Sequence, residues 1–238
     1  MTGREQNANR SKDPRELAAY TVSEAAHYLL IPPVTLRSWV AGRTYRTQGG
    51  DRFFKPVITT PSDTKRVLSF VNLVEAHMLG AIRRRYGIPL DKVRRAMGYL
   101  RTEFGSPHPL ADHRFETDGL DLFVEKYGQL INITQQGQLA MRAVLQAYLR
   151  RVEHDERGIA VRLYPFTRKD PENSPKSVVI DPRLAFGRPV IAGTGIPTVV
   201  VAERYKAGES PEELAFDYGR DRQDIDEAIR CELQLEAA

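Results

Sequence analysis

Tyr20-Thr-Val-Ser-Glu-Ala-Ala-His-Tyr-Leu-Leu-Ile-Pro-Pro-Val-Thr-Leu-Arg-Ser-Trp39 contains two short helical patterns separated by a break. Thr21 or Ser23 is placed to cap the first, Ser23–Leu30. Pro33 opens the second, Pro33–Val40, because a first-turn amide has no helical partner to lose. Ala25 and Ala26 are small enough for the second helix to cross closely, and Val22, Leu29, Ile31, Leu36 and Trp39 supply a shared core. Val34, Thr35, Arg37 and Ser38 are left on the outward face. Such side chains reach base edges and phosphates in a major groove, and the planar fork of Arg37 suits a guanine edge. The pattern predicts a DNA-reading helix-turn-helix with Thr35, Arg37 and Ser38 on its reading face. In the next segment a hairpin is expected around Gly49-Gly50, where Arg43, Arg46, Arg52 and Lys55 are the candidate phosphate contacts.

The charge distribution agrees. Residues 1–115 carry 19 Lys/Arg against ten Asp/Glu, whereas residues 177–238 carry seven against 12. A basic block attracts polyanions and an acidic one repels them, so nucleic-acid contacts are expected before about residue 115. The 238 residues are 41% hydrophobic and 28% charged, the composition of a soluble globular chain large enough for one domain or for two or three small ones. A single cysteine, Cys231, excludes an intrachain disulfide and Cys-rich metal sites. With neither a secretory signal nor a membrane-length apolar run, a cytoplasmic protein is expected.

Four segments follow from the pattern: a flexible tail (1–18), a winged helix-turn-helix (19–68), a central helical and α+β region (69–170) and a C-terminal three-helix module (177–238). The fold class is mainly α with small β elements. Ser69 caps a helix with Phe70, Leu73, Val74, Met78 and Ile82 on one stripe, and a second helix after Pro89 aligns Leu90, Val93, Met97, Leu100 and Phe104. Residues 105–118 read as a linker or long loop, Leu122–Glu125 and Leu130–Ile133 as a β-hairpin, Gln138–Val152 as a helix and Ile159–Tyr164 as a strand. Beyond the proline-punctuated stretch 169–176, short strands are expected at Val178–Ile180 and Pro189–Ile191. Helices are then expected from Pro197, Ser210 and Asp221, the second with a Ser-Pro-x-Glu capping box. Gly193-Thr-Gly195 precedes a helix but lacks the spacing and the Lys-Ser/Thr of a phosphate-binding loop, so it is read as a strand-to-helix turn.

Two segments carry family resemblances. Tyr20, Thr21, Glu24, Ala26, Leu29, Pro33, Thr35, Leu36 and Arg37 match the pattern of the winged helix of MerR-type regulators, with Leu30 where that pattern has a turn glycine and Pro32 where it has a capping serine. Gly187-Arg-Pro-Val-Ile-Ala-Gly-Thr-Gly-Ile-Pro-Thr198, with Ala207-Gly-Glu-Ser-Pro-Glu-Glu-Leu-Ala215 and Asp224-Ile-Asp-Glu-Ala-Ile229, resembles the C-terminal domain of VapB-type antitoxins. The middle of the chain, from Leu68 to Phe166, resembles the longer members of that family. The resemblance implies an antitoxin of a type II toxin-antitoxin system, a homodimer that represses its own operon through operator DNA. Its implied partner is a VapC-like toxin, a PIN-type ribonuclease. The alternative is a stand-alone MerR-like regulator that senses a small molecule through the central region.

No enzyme, cofactor or metal is expected. His108, Asp112 and His113 form a loop cluster whose spacing matches no common metal site, and His27, His77 and His154 read as isolated surface or packing residues. The acids Glu209, Glu212, Glu213, Asp217, Asp221, Asp224, Asp226 and Glu227 read as a solvated exterior. Arg150, Arg151, Arg157 and Arg162 are the candidates for meeting an acidic toxin centre.

Overall fold

Thr21, not Ser23, caps the first helix. Its hydroxyl accepts from the Glu24 amide, and the Glu24 carboxylate accepts from the Thr21 amide, so two orphan donors of the first turn are satisfied reciprocally. This begins the computed structural model, which describes residues 13–47, 50–61, 67–86, 90–131, 134–168, 170–171 and 173–233. Helix α1 (Val22–Tyr28) turns into α2 (Pro33–Ala41), and an antiparallel pair follows, β1 (Arg43–Thr47) with β2 (Gly50–Phe54). Residues 48 and 49, where the hairpin turn is expected, and the tail before Asp13 lie outside the described residues.

Helix α3 (Phe70–Tyr86) is the central strut. Ser69 caps it as expected, its hydroxyl accepting from the Asn72 amide at 3.2 Å. Its apolar residues are not confined to one stripe: Phe70, Val71, Leu73, Val74, Ala76, Met78, Leu79, Ala81 and Ile82 are all buried. A helix buried on every side lies inside a domain. Along it packs α6 (Gln135–Leu149), capped by the Thr134 hydroxyl; α5 (Leu120–Ile131) lies against α6, and α4 (Leu90–Phe104) against α5. The strands β3 (Val152–His154) and β4 (Ala160–Leu163) form an antiparallel hairpin beside α3.

Two expectations fail in this region. The expected β-hairpin at Leu122–Glu125 and Leu130–Ile133 is not formed: residues 122–125 and 130–131 lie within α5, whose Leu120, Phe123 and Val124 are buried, and residues 132 and 133 lie outside the described residues. Period-2 and period-3.6 patterns are ambiguous in short apolar runs, and packing resolved this one towards helix. The expected linker at 105–118 instead carries a 3₁₀ turn (Pro109–Ala111) and the start of a π turn (Phe115–Gly119), and it buries Pro109, Leu110, Ala111 and Phe115. Its Gly and Pro residues mark tight turns, not slack chain.

In the last third, β5 (Val178–Val179) pairs antiparallel with β6 (Val190–Ile191). The helices α7 (Thr198–Lys206), α8 (Pro211–Tyr218) and α9 (Arg222–Leu233) follow, α8 with the expected Ser210/Glu213 capping box. One apolar cluster runs from Tyr20 to Ile180, and a second unites Ile191, Val201, Leu214, Ile225, Ala228 and Ile229. The whole is mainly helical with three two-stranded sheets among the described residues. No described helix is long and apolar enough to cross a membrane.

Candidate nucleic-acid interface

The helix-turn-helix core forms from the expected side chains. Ala25, Ala26, Leu29, Ile31, Leu36 and Trp39 are buried, with Val22 packed at the margin. The turn between the helices requires a left-handed residue, and Leu30 supplies it at φ 54°. An L side chain in that region costs about 1–2 kcal/mol where glycine costs almost nothing. Pro32 gives α2 no side-chain cap, as its chemistry dictates. Helix α2 is therefore held at its start by the core and not by a side-chain cap.

The outward face of α2 presents Val34, 76% exposed, and the exposed Arg37, while Thr35 and Ser38 are half-buried. The Ser38 hydroxyl donates to the Thr35 carbonyl at 2.7 Å. Arg43, Arg46, Arg52 and Lys55 are all exposed along the hairpin. Arg46 lies 3.9 Å from Asp51, a loose pair. Arg37, Arg43, Arg52 and the Lys55 ammonium have no ion-pair partner among the described residues.

The hairpin is braced from behind. Gly42 holds φ 70° at the end of α2, and a Cβ there would lie 2.1 Å from the Phe54 carbonyl oxygen, so only glycine admits the hairpin this close. The Val57 and Ile58 amides both donate to the Trp39 carbonyl, closing the loop behind β2. Arg94 of α4 lies over the Phe54 ring at 4.4 Å and donates to the Lys55 carbonyl, and Arg101 donates to the Val57 carbonyl at 3.0 Å. Their role depends on tertiary packing, which leaves no local signal.

A second set of contacts joins α1 to the C-terminal module. Tyr20 is 1% exposed, and its hydroxyl donates to the Gly187 carbonyl at 2.9 Å. Gly187 has φ 78°, and a Cβ there would lie 2.5 Å from that hydroxyl. Burial drives the Tyr20 phenol well above its usual range, keeping it a neutral donor. Arg188 pairs with Glu24. Burial alone would raise the Glu24 carboxyl, but hydrogen bonds from Thr21 and Arg188 hold it below the ordinary value.

The acids of the C-terminal module are largely spoken for. Arg204 pairs with Glu209 and, at 2.6 Å, with Asp217; Arg222 pairs with Glu212 and, more loosely, Asp226; Arg220 pairs with Asp224. Glu227 departs from the expected solvated exterior: it is fully buried, accepting from Thr167, Arg168 and Arg230. Burial opposes its charge, yet those donors hold the carboxyl below its ordinary value. Of the four candidate arginines, Arg151 is buried, stacked at 4.5 Å over Phe166 and donating to the Ser174 and Pro175 carbonyls. Arg162 is shared between Glu153 and Asp181, whereas Arg150 and Arg157 stay exposed without an ion pair among the described residues.

The histidines divide in the same way. His77 is a packing residue, stacked on Phe166 and hydrogen-bonded to the Tyr148 carbonyl. His108 turns away from Asp112 to meet the buried Glu75 carboxylate at 2.9 Å. Burial disfavours its charge, but Glu75 outweighs that and leaves the imidazole raised. His154 is not isolated, because its ring lies 5.2 Å from that of His113. The loop cluster of His108, Asp112 and His113 therefore does not assemble.

The fold and this surface define a helix-turn-helix protein whose second helix and following hairpin are basic and exposed, and whose first helix is joined to the C-terminal segment. Residues 18–97 match a family described as "Putative DNA-binding HTH domain", and residues 178–230 match one described as "Protein of unknown function (DUF433)". The chain is 30% identical over 223 residues to "Putative antitoxin VapB45" of Mycobacterium tuberculosis (strain ATCC 25618 / H37Rv), covering 86% of this chain and 89% of that one. It belongs to the family of that antitoxin. It is also 30% identical over 219 residues to the uncharacterized protein Rv2308 of the same organism, covering 88% of each. The crystal structure of Rv2018 from Mycobacterium tuberculosis shares the fold, with a TM-score of 0.65 at 24% identity over 90% of this chain and 98% of that one.

Proposed function

We propose that this protein is the antitoxin of a type II toxin-antitoxin pair, a regulator and not an enzyme. In this reading it represses its own operon by binding operator DNA as a homodimer, and it neutralises a VapC-like toxin of the PIN ribonuclease class. The observation that carries the DNA half is the set of exposed cations on α2 and the hairpin, of which Arg37, Arg43, Arg52 and Lys55 have no ion-pair partner among the described residues while most described acids of the C-terminal module have one. Arg37, with Thr35 and Ser38 beside it, reads bases; Arg43, Arg46, Arg52 and Lys55 hold phosphates. Two reading helices on a two-fold site supply the affinity that one seldom reaches. The antitoxin half is supported by family membership. Arg150 and Arg157, exposed and without a described ion pair, are the cations available to an acidic nuclease centre.

The test is Arg37→Ala. At fixed salt, binding to the DNA upstream of the gene weakens by about 5- to 150-fold, the value of one bidentate base contact, while co-purification with the product of the adjacent reading frame persists. Unchanged DNA affinity removes α2 as the reading helix. Failure of a singly tagged chain to retain the neighbouring gene product points to the stand-alone regulator instead.

A further inference from the structure

Away from the basic face, three irregular stretches of backbone bring His113, Glu116 and His154 together. One donor atom from each lies within 4.8 Å of the other two, with His113 Nδ1 3.4 Å from Glu116 Oε2. Glu116 belongs to the π turn Phe115–Gly119, anchored by the buried Phe115. His154 ends β3 where the pairing with β4 slips register between Glu153 and His154. His113 is fixed through its backbone, whose amide donates to the Gly158 carbonyl at 2.9 Å, next to the Asp112–Ile159 bridge. Single π turns and β-bulges recur beside functional sites because they re-aim one side chain without breaking the element.

We infer that His113, Glu116 and His154 form a binding site for a divalent transition-metal ion of the zinc class. Two imidazoles and one carboxylate are a ligand set that such ions accept, and imidazole nitrogen disfavours magnesium and calcium. Tetrahedral bonds of zinc length put donors about 3.4 Å apart, so the spread of the three atoms closes by small rotations of side chains. His113 and Glu116, both exposed, are free to make them. Three protein ligands leave the remaining position to water or to a donor from another molecule. A bound ion would clip the 105–119 segment onto the β3–β4 hairpin.

The experiment uses the full chain without a histidine tag, stripped of metal, titrated with Zn²⁺ by calorimetry and with Co²⁺ by visible absorption. One equivalent binds, Co²⁺ develops the ligand-field bands of a low-coordinate histidine site, and Zn²⁺ raises the unfolding temperature. In the His113→Gln/Glu116→Gln double variant, whose positions are exposed and tolerate substitution, affinity falls by about tenfold or more and the thermal shift disappears. His154→Asn gives the same loss, and His108→Gln leaves binding intact. Absence of saturable binding, or binding unchanged in the double variant, overturns the assignment and leaves His113 and Glu116 as a plain surface ion pair.

Discussion

The hairpin-flanked helix at one end and the three-helix module at the other carry opposite charge, and they use it in opposite ways. Arg37, Arg43, Arg52 and Lys55 stand in solvent without a described counter-ion, whereas Glu209, Glu212, Asp217 and Asp224 are each matched to an arginine within the same module. A charge already neutralised at short range contributes little to a long-range field, so a formal count misstates what a partner would feel. Uncommitted charge is therefore a better guide to function than net charge.

The strongest way to break this contrast is at Glu227. Replacing it by Gln leaves Arg168 and Arg230 without their buried anion. A loss of about 1–3 kcal/mol in a urea melt is expected, below the cost of a fully enclosed pair because both arginines are partly exposed. Because the folded carboxyl is held below its unfolded value, the stabilisation it provides is present above that unfolded value and is lost as pH falls through the folded one. The variant's melts should thus converge on wild type in acid, with operator affinity untouched near neutrality. A fall in DNA affinity there would mean that the two ends are coupled.

The complementary variant is Arg52→Ala/Lys55→Ala. Stability should stay within about 0.5 kcal/mol of wild type, while the slope of log affinity against log salt flattens by roughly 0.9 for each phosphate that is no longer neutralised. A changed melt with an unchanged slope would reverse the roles assigned to the two regions.

His108 is an intermediate case, a titratable base committed internally outside the acidic module. Its imidazole is raised in the fold by Glu75, so its contribution is complete below the unfolded value of about 6.5 and fades as pH climbs through the folded one. In His108→Gln that alkaline decline should flatten, measured as unfolding temperature against pH. The smallest effect is expected at Leu30→Gly, which relieves a left-handed leucine and stabilises by roughly 0.5–1 kcal/mol, seen as a modest rise in unfolding temperature.

The helix-turn-helix was legible because its signals are local. Capping residues, a proline at the first turn and paired small residues need no knowledge of distant chain. The capping box at Ser210 and the Gly-Thr-Gly turn were legible for the same reason. The 120–131 helix was not, because four-residue apolar runs fit either period and only packing decides between them. Nor were the bracing of the hairpin by Arg94 and Arg101, the burial of Glu227, or the meeting of His113 with His154 across 41 positions of sequence. Each depends on which elements become neighbours, and side-chain spacing along one strand or helix carries no record of that.

The Tyr20–Gly187 joint has a consequence for operator architecture. Because α1 is fastened to the C-terminal module by a buried hydroxyl and a glycine that tolerates no side chain, α2, the proposed reading helix, has little freedom to swivel against the rest of the chain. If the chain binds operator DNA as the proposed homodimer, it acts as a ruler, transmitting a fixed distance and phase to the duplex. Operators lengthened by about five base pairs, which turns one half-site to the opposite side of the double helix, should be rejected, while insertions of about ten should be tolerated better.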